Sequence, residues 1–322
     1  MKAVIIGIHG LRGKPPRYVL SDWWRKSIAE GFRVVKLPVP HFTFEMAHWA
    51  HFLHEKSQNP NVTDQSHPQY MWEPYVPGTY FGPREPQSFR RKLKHDIHEQ
   101  LLKLVAGPAG FMNIGVISEV ILHRMFEELE VYYHGSLKDS AGRMRPAKEL
   151  IRGELAQLLQ RHRGSNIMLL AHSMGSIIAY DVLTHVVPDI PVHSLVTFGA
   201  PLGFPVIVKK IRQEMSLDGP AEVPLPTPAS IRKRWLNFSD PDDVTCLNYN
   251  LRTQYHENAH GVRPIDRIVY NNYECMGCSN PHKAYGYLRT FDMTQVVNTF
   301  LTLENAGVWE RLGWVLKPPP HL

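Results

Sequence analysis

This 322-residue sequence predicts an α/β fold: a mostly parallel central sheet with helices on both faces. Three observations carry that expectation. The run "AVIIGIHG" (3–10) is almost continuously apolar, as a strand buried on both faces of a parallel sheet must be. Apolar runs of strand length then alternate with longer segments of helical periodicity. Hydrophobic residues make up 43% of the chain, enough for a sizeable core in one large domain.

The elements follow in order. "SDWWRKSIAEGF" (21–32) opens on a Ser-Asp cap signal and continues as a helix. "FRVVKLPV" (32–39) reads as a second strand stopped by prolines, and "TFEMAHWAHFLHEK" (43–56) as a short helix. Residues 59–87 are rich in Pro, Gly and aromatics and lack periodicity. Phe89, Leu93, Ile97, Leu101 and Leu104 set a helix over 88–107, followed by a more apolar helix over 111–133. Together, residues 41–144 read as a helical and irregular insertion within a single domain spanning 1–322, a candidate lid.

Past the insertion, "RPAKELIRGELAQLLQRHRG" (145–164) is an amphipathic helix ending at a glycine. Then come a strand over 165–173, a helix over 176–186 and a strand over 192–203. A Pro-rich loop (218–228) precedes strands over 234–240 and 266–274. A helix over 294–307 closes the domain, and the tail "KPPPHL" is expected to fray.

Composition narrows the function classes. The net charge of +6 is spread thinly, and its densest patches, "FRRKLKH" and "IRKRW", carry no nucleic-acid-binding signature. No nucleic-acid partner is expected, and membrane contact is not indicated. Three cysteines in a chain this long argue against a disulfide framework. The N-terminal apolar run is too short for a signal peptide, and no run reaches the roughly 20 apolar residues of a membrane span. The expected location is the cytoplasm. Nothing addresses the oligomeric state.

The chemistry concentrates around "LLAHSMGSIIAYDVL" (169–183), where a strand meets a helix at Ser173. A serine on so sharp a turn needs small residues two positions away on either side, here Ala171 and Gly175. A serine also needs a base, and the base an orienting acid. Downstream, "NFSDPDDVT" supplies Asp240, Asp242 and Asp243 at a strand end, and "NPHKAYGYL" supplies His282 before the closing helix. An oxyanion site needs two backbone donors: Met174, after the serine, and Leu11, in the loop "IHGLRGKPP" after the first strand.

Taken together, "IHGL", "AHSMG", "TFGAPLG", "NFSDPDDVT" and "PHKAYGYL" resemble the α/β-hydrolase superfamily, in its lipase and esterase branches. The resemblance covers roughly 3–40 and 145–305 and omits the insertion, which stands earlier than many lids of that superfamily. It implies an α/β-hydrolase fold and a serine hydrolase acting on a small-molecule or lipid-like acyl substrate. The bond is a carboxylic ester in the first instance, with thioester, amide or acyl transfer on the same residues as the alternative. The catalytic residues it implies are Ser173, His282 and an aspartate. The aspartate is Asp243 by a D-P-x-D alignment, Asp242 by a literal D-x-V, and Asp240 third. No cofactor and no metal are implied. A non-catalytic binding module on the same scaffold is the contrasting class.

Three further patterns compete. Cys275-x-x-Cys278 with His256 and His260 has tetrahedral-zinc spacing, and a zinc that recruited His282 would remove the base. His48, His51 and His54 recur every third residue and read first as packed or solvated histidines. Lys14, just past the oxyanion loop, is placed to attract an anionic substrate.

Overall fold

The computed structural model describes residues 2–78, 120–217, 223–243, 245–246 and 250–302. In chain order the elements begin with β1 (Ala3–Ile8), α1 (Arg17–Val34), β2 (Thr43–Ala47) and α2 (Ala50–Leu53). They resume with α3 (Val120–His134), the β3–β4 hairpin (Ser136–Lys138 and Met144–Pro146) and α4 (Ala147–Arg161). β5 (Asn166–His172), α5 (Met174–Asp181), β6 (Val192–Phe198) and α6 (Pro205–Glu214) follow. After them come β7 (Leu225–Pro226), β8 (Ile231–Ser239), β9 (Tyr255–His256) and β10 (Pro264–Ile268). The β11–β12 hairpin (Glu274–Cys275 and Cys278–Ser279), α7 (Ala284–Leu288) and α8 (Phe291–Leu301) complete the series.

Six strands form one sheet in the order β10–β8–β6–β5–β1–β2, and every neighbouring pair is parallel. Successive side chains of a strand point to opposite faces, so a strand covered on both sides divides its apolar residues between two cores. β1 does this: Val4, Ile6 and Ile8 join one core, and Ile5 joins the other. β5 repeats it, with Ile167, Leu169 and Ala171 on the first face and Met168 and Leu170 on the second. Helices α3, α4, α5 and α6 cover the first face; α1, α7 and α8 cover the second. The result is an α/β architecture with a six-stranded parallel sheet between helices, consistent with an α/β-hydrolase-like fold.

Two early elements differ from the sequence expectation. The expected strand over 32–39 is the end of α1 and a turn. Phe32 extends a buried stripe of Leu20, Trp24 and Ile28 at four-residue spacing, so packing prolongs the helix through it. Lys36, at φ 57°, then turns the chain, and Leu37 N–H closes back on Phe32 O at 2.9 Å. The expected helix over 43–56 is instead the strand β2 followed by the single turn α2. Thr43–Ala47 pairs in register with Val4–Ile8 and buries Phe44 and Met46.

The ends of the 41–144 segment therefore belong to the main body. β2 lies in the central sheet. At the other end, Leu129 and Tyr132 of α3 are buried in the core, and Tyr132 donates its hydroxyl hydrogen to Asp181 Oδ2 at 2.5 Å. The expected helix over 88–107, the start of that over 111–133, and the tail lie outside the described residues. The strand expected over 266–274 ends at Ile268, and the closing helix starts at Phe291. Among the described residues, no helix is long and apolar enough to cross a membrane.

The strand order reverses direction between β1 and β5. The chain leaves β1 toward β2 on one side and later builds outward from β5 on the other. Loops after these two strands diverge, which opens a crevice at the carboxyl end of the sheet.

Candidate active site

Ser173 sits directly at that crevice, between β5 and α5, with φ 54° and ψ −130°. A non-glycine residue there stores about 1–3 kcal/mol of strain, held in place by its surroundings. Ser173 N–H donates to Phe198 O at 3.1 Å, and Ser173 O accepts from Ser176 N–H at 2.9 Å and from Ser176 Oγ at 2.6 Å.

Two glycines explain how the turn fits against the loop after β1. A Cβ on Gly175 would come within 2.7 Å of the carbonyl oxygens of both Ile8 and His9. A Cβ on Gly10 would lie 2.5 Å from Ser173 Cβ and 3.0 Å from its Oγ. Backbone therefore reaches the serine where no side chain could.

Ser173 Oγ is 3.0 Å from His282 Nε2. His282 Nδ1 is 2.9 Å from Asp243 Oδ2 and 3.1 Å from Oδ1. Of the three aspartates read from the sequence, Asp243 is the one at His282. Asp240 instead ties the turn together, accepting from Asp242 N–H at 2.7 Å and from Asn271 N–H at 2.6 Å. Asp242 makes no contact with His282, and its Oδ1 is buried without a partner among the described residues.

Asp243 is fully buried, and four donors besides the imidazole converge on it. Thr245 gives its N–H and hydroxyl to Oδ1 at 2.9 and 2.7 Å; Tyr287 gives its hydroxyl to Oδ2 at 2.7 Å; the Cys246 thiol adds a weak contact at 3.7 Å. Burial alone would push the carboxyl up. The His282 charge and the hydrogen bonds from His282, Thr245 and Tyr287 outweigh burial and hold it well below the usual carboxylate range. Asp243 is thus an anion that faces the imidazole as an acceptor.

The loop bearing His282 is fixed from three sides. His282 N–H donates to Asn280 Oδ1 at 2.9 Å. His172 Nε2 donates to the His282 carbonyl at 2.8 Å, and burial keeps His172 neutral by lowering its pKa. Asn271 donates to the carbonyls of Pro281 and Lys283 at 2.7 and 2.8 Å. None of these supports was read from the sequence, nor were Thr245 and Tyr287.

The loop after β1 is clamped as firmly. His9 is buried, which lowers its pKa well below the ordinary value, so its ring is neutral. Nδ1 donates to Gly10 O at 2.8 Å, and Nε2 accepts from Trp49 N–H at 3.1 Å, which fixes the tautomer. Trp49 Nε1–H donates to His9 O at 2.9 Å, and His48 Nε2 donates to Pro15 O at 2.9 Å. The amides of Leu11 and Met174 have no acceptor among the described residues. Met174 opens α5, where the helix dipole favours negative charge.

The competing metal patterns do not assemble. Among the described residues, no three or more His, Cys, Asp or Glu side chains converge as a metal site. Cys275 and Cys278 face each other across the β11–β12 hairpin; His260 meets Arg232, and His256 Nδ1 meets Glu257 O. His48 serves the loop clamp, while His51 and His54 stand 3.9 and 3.5 Å from Glu154 and Glu128.

A cleft lined by His282 and His172 opens beside the Ser173–His282 pair. Leu11, Leu20, Trp24, Ala284 and Tyr285 give it an apolar wall; Arg12, Lys14, Glu73, Asn280 and Lys283 give it a polar one. No protein-family model matches the sequence, and no curated protein matches it.

Proposed function

We propose that the chain is a serine hydrolase of the α/β-hydrolase superfamily that cleaves a carboxylic ester through an acyl-enzyme on Ser173. The observation that carries this reading is the hydrogen-bonded row Ser173–His282–Asp243, with Ser173 strained on the turn between β5 and α5. A buried, ordered row of this kind has a clear chemical use, because a serine hydroxyl is unreactive until a base takes its proton.

In the proposed reaction His282 Nε2 accepts the Ser173 proton as Oγ attacks the acyl carbon. The N–H groups of Leu11 and Met174 receive the oxyanion, with the α5 dipole behind Met174. The protonated His282 then gives its proton to the departing alcohol, and the acyl group stays on Ser173. Water, deprotonated by the same imidazole, releases the acid. Asp243 stays ionised throughout and stabilises the imidazolium. The apolar wall of the cleft suits an acyl chain.

Hydrolysis of p-nitrophenyl esters from acetate to palmitate tests the proposal. Wild type is expected to turn over part of the series and Ser173→Ala none of it, with the chain-length optimum describing the acyl pocket. Equal activity in both proteins would remove the proposal.

A further inference from the structure

We infer, resting on the hydrolase reading, that the substrate carries an anionic oxygen group, a carboxylate or a phosphate, held by Lys14 and Lys283 in the cleft beside Ser173. The two lysines come from the two loops that flank the serine. Lys283 directly follows His282, and Lys14 lies three residues beyond Leu11.

Their partners differ. Lys283 reaches Glu73 Oε2 at 3.1 Å, and Asn280 Nδ2 holds the other oxygen of Glu73 at 2.5 Å. Lys14 has no carboxylate within ion-pair distance among the described residues. Its ammonium donates to the carbonyl oxygens of Leu11 and Arg12, the latter at 3.0 Å. A desolvated ammonium satisfied only by neutral acceptors is costly, and a bound anion would remove that cost.

Burial first, then Lys283 and Arg12, bring the Lys14 pKa down to about 7 against the opposing pull of the more distant Glu128 and Glu73 carboxylates. Among the described residues that line the cleft, Arg12, Lys14 and Lys283 are cationic and Glu73 is anionic. Lys14 also binds the carbonyl of Leu11, whose N–H faces the oxyanion position in the proposed reaction. An anion on Lys14 would therefore sit against the same loop that carries the Leu11 amide. The apolar residues of the same cleft take the uncharged part of the molecule.

The test compares the mono-p-nitrophenyl ester of glutaric acid with p-nitrophenyl hexanoate, a neutral ester of similar length. Wild type is expected to show the higher kcat/KM on the charged ester. Lys14→Met is expected to lower the charged-to-neutral ratio by about ten- to a hundredfold, with Lys14→Arg retaining most of it. Lys283→Met lowers the same ratio and provides a second variant if Lys14→Met misfolds. Inorganic phosphate and glutarate, as competitors of the neutral ester, separate the two anion types by which of them inhibits. A wild-type ratio at or below one with no inhibition by either anion overturns the inference. So does a Lys14→Met protein that loses activity on both esters equally, which would make Lys14 a brace for the loop. If no ester is turned over at all, the hydrolase reading fails by itself. Calorimetric binding of phosphate and glutarate to wild type and Lys14→Met then still decides the anion site.

Discussion

Tyr287 donates its hydroxyl hydrogen to Asp243 Oδ2 at 2.7 Å, the same oxygen that lies 2.9 Å from His282 Nδ1. The hydroxyl also accepts from Asp240 N–H at 3.0 Å, so one tyrosine joins the carboxylate to the turn that carries it. Tyr287→Phe leaves a buried anion short of a donor and a buried amide short of an acceptor. It is expected to cost about 1–3 kcal/mol of stability and to lower kcat several-fold. Urea unfolding and ester turnover measure both; unchanged values would make the contact incidental.

Close approach of backbone to the serine leaves no room for a side chain at Gly10. Gly10→Ala forces a methyl against Ser173 Cβ and is expected to abolish turnover and cost about 1–3 kcal/mol or more. Gly153, inside α4, has only Gln157 Nε2 near its would-be Cβ, at 4.0 Å. Gly153→Ala is expected to stabilise the protein by about 0.5–1 kcal/mol with activity intact. Unfolding midpoints that move the same way in both variants would contradict this pair.

Trp49 braces the loop after β1 through its indole N–H on His9 O. Trp49→Phe removes that donor and keeps most of the ring. A lower kcat at little-changed KM is expected, because the loop amide acts on the transition state more than on bound ester. A change confined to KM would place Trp49 in ground-state binding.

Asp240 gives a pH signature. Burial raises its pKa from 3.8 to about 6, against the pull of the Asn271 and Asp242 amides. The folded protein therefore holds a proton there that the unfolded chain releases near pH 4. This contribution is complete below about pH 4 and is lost as pH rises through 6, at most about 3 kcal/mol in all. Asp240→Asn lacks the titration. The stability difference, wild type minus variant, is expected to shrink between pH 4 and 7 in urea unfolding. A difference that grows over that interval would mean that Asp240 is ionised in the fold.

The strands β1 and β5 and the turn at Ser173 were legible because their constraints are local. A strand buried on both faces must be continuously apolar, and a sharp turn must have small neighbours. The run 32–39 misled because Phe32 belongs to a helical stripe beginning at Leu20, and only the packing of α1 reveals that. β2 was hidden for a related reason. "TFEMA" alternates over just five residues and earns its strand conformation by pairing with β1. Asp240, Asp242 and Asp243 share one turn, so no local rule separates them; the position of His282 does. Tyr287 and Trp49 reach Asp243 and His9 across long sequence separations, beyond any local pattern.

The most direct test of the central claim is labelling with a fluorophosphonate, which reacts with serines activated as nucleophiles. Intact mass and peptide mapping should find one adduct on the wild-type protein, at Ser173, with none on Ser173→Ala and slowed reaction in His282→Ala. Folded wild-type protein that stays unlabelled, or labelling that survives Ser173→Ala, would contradict the account.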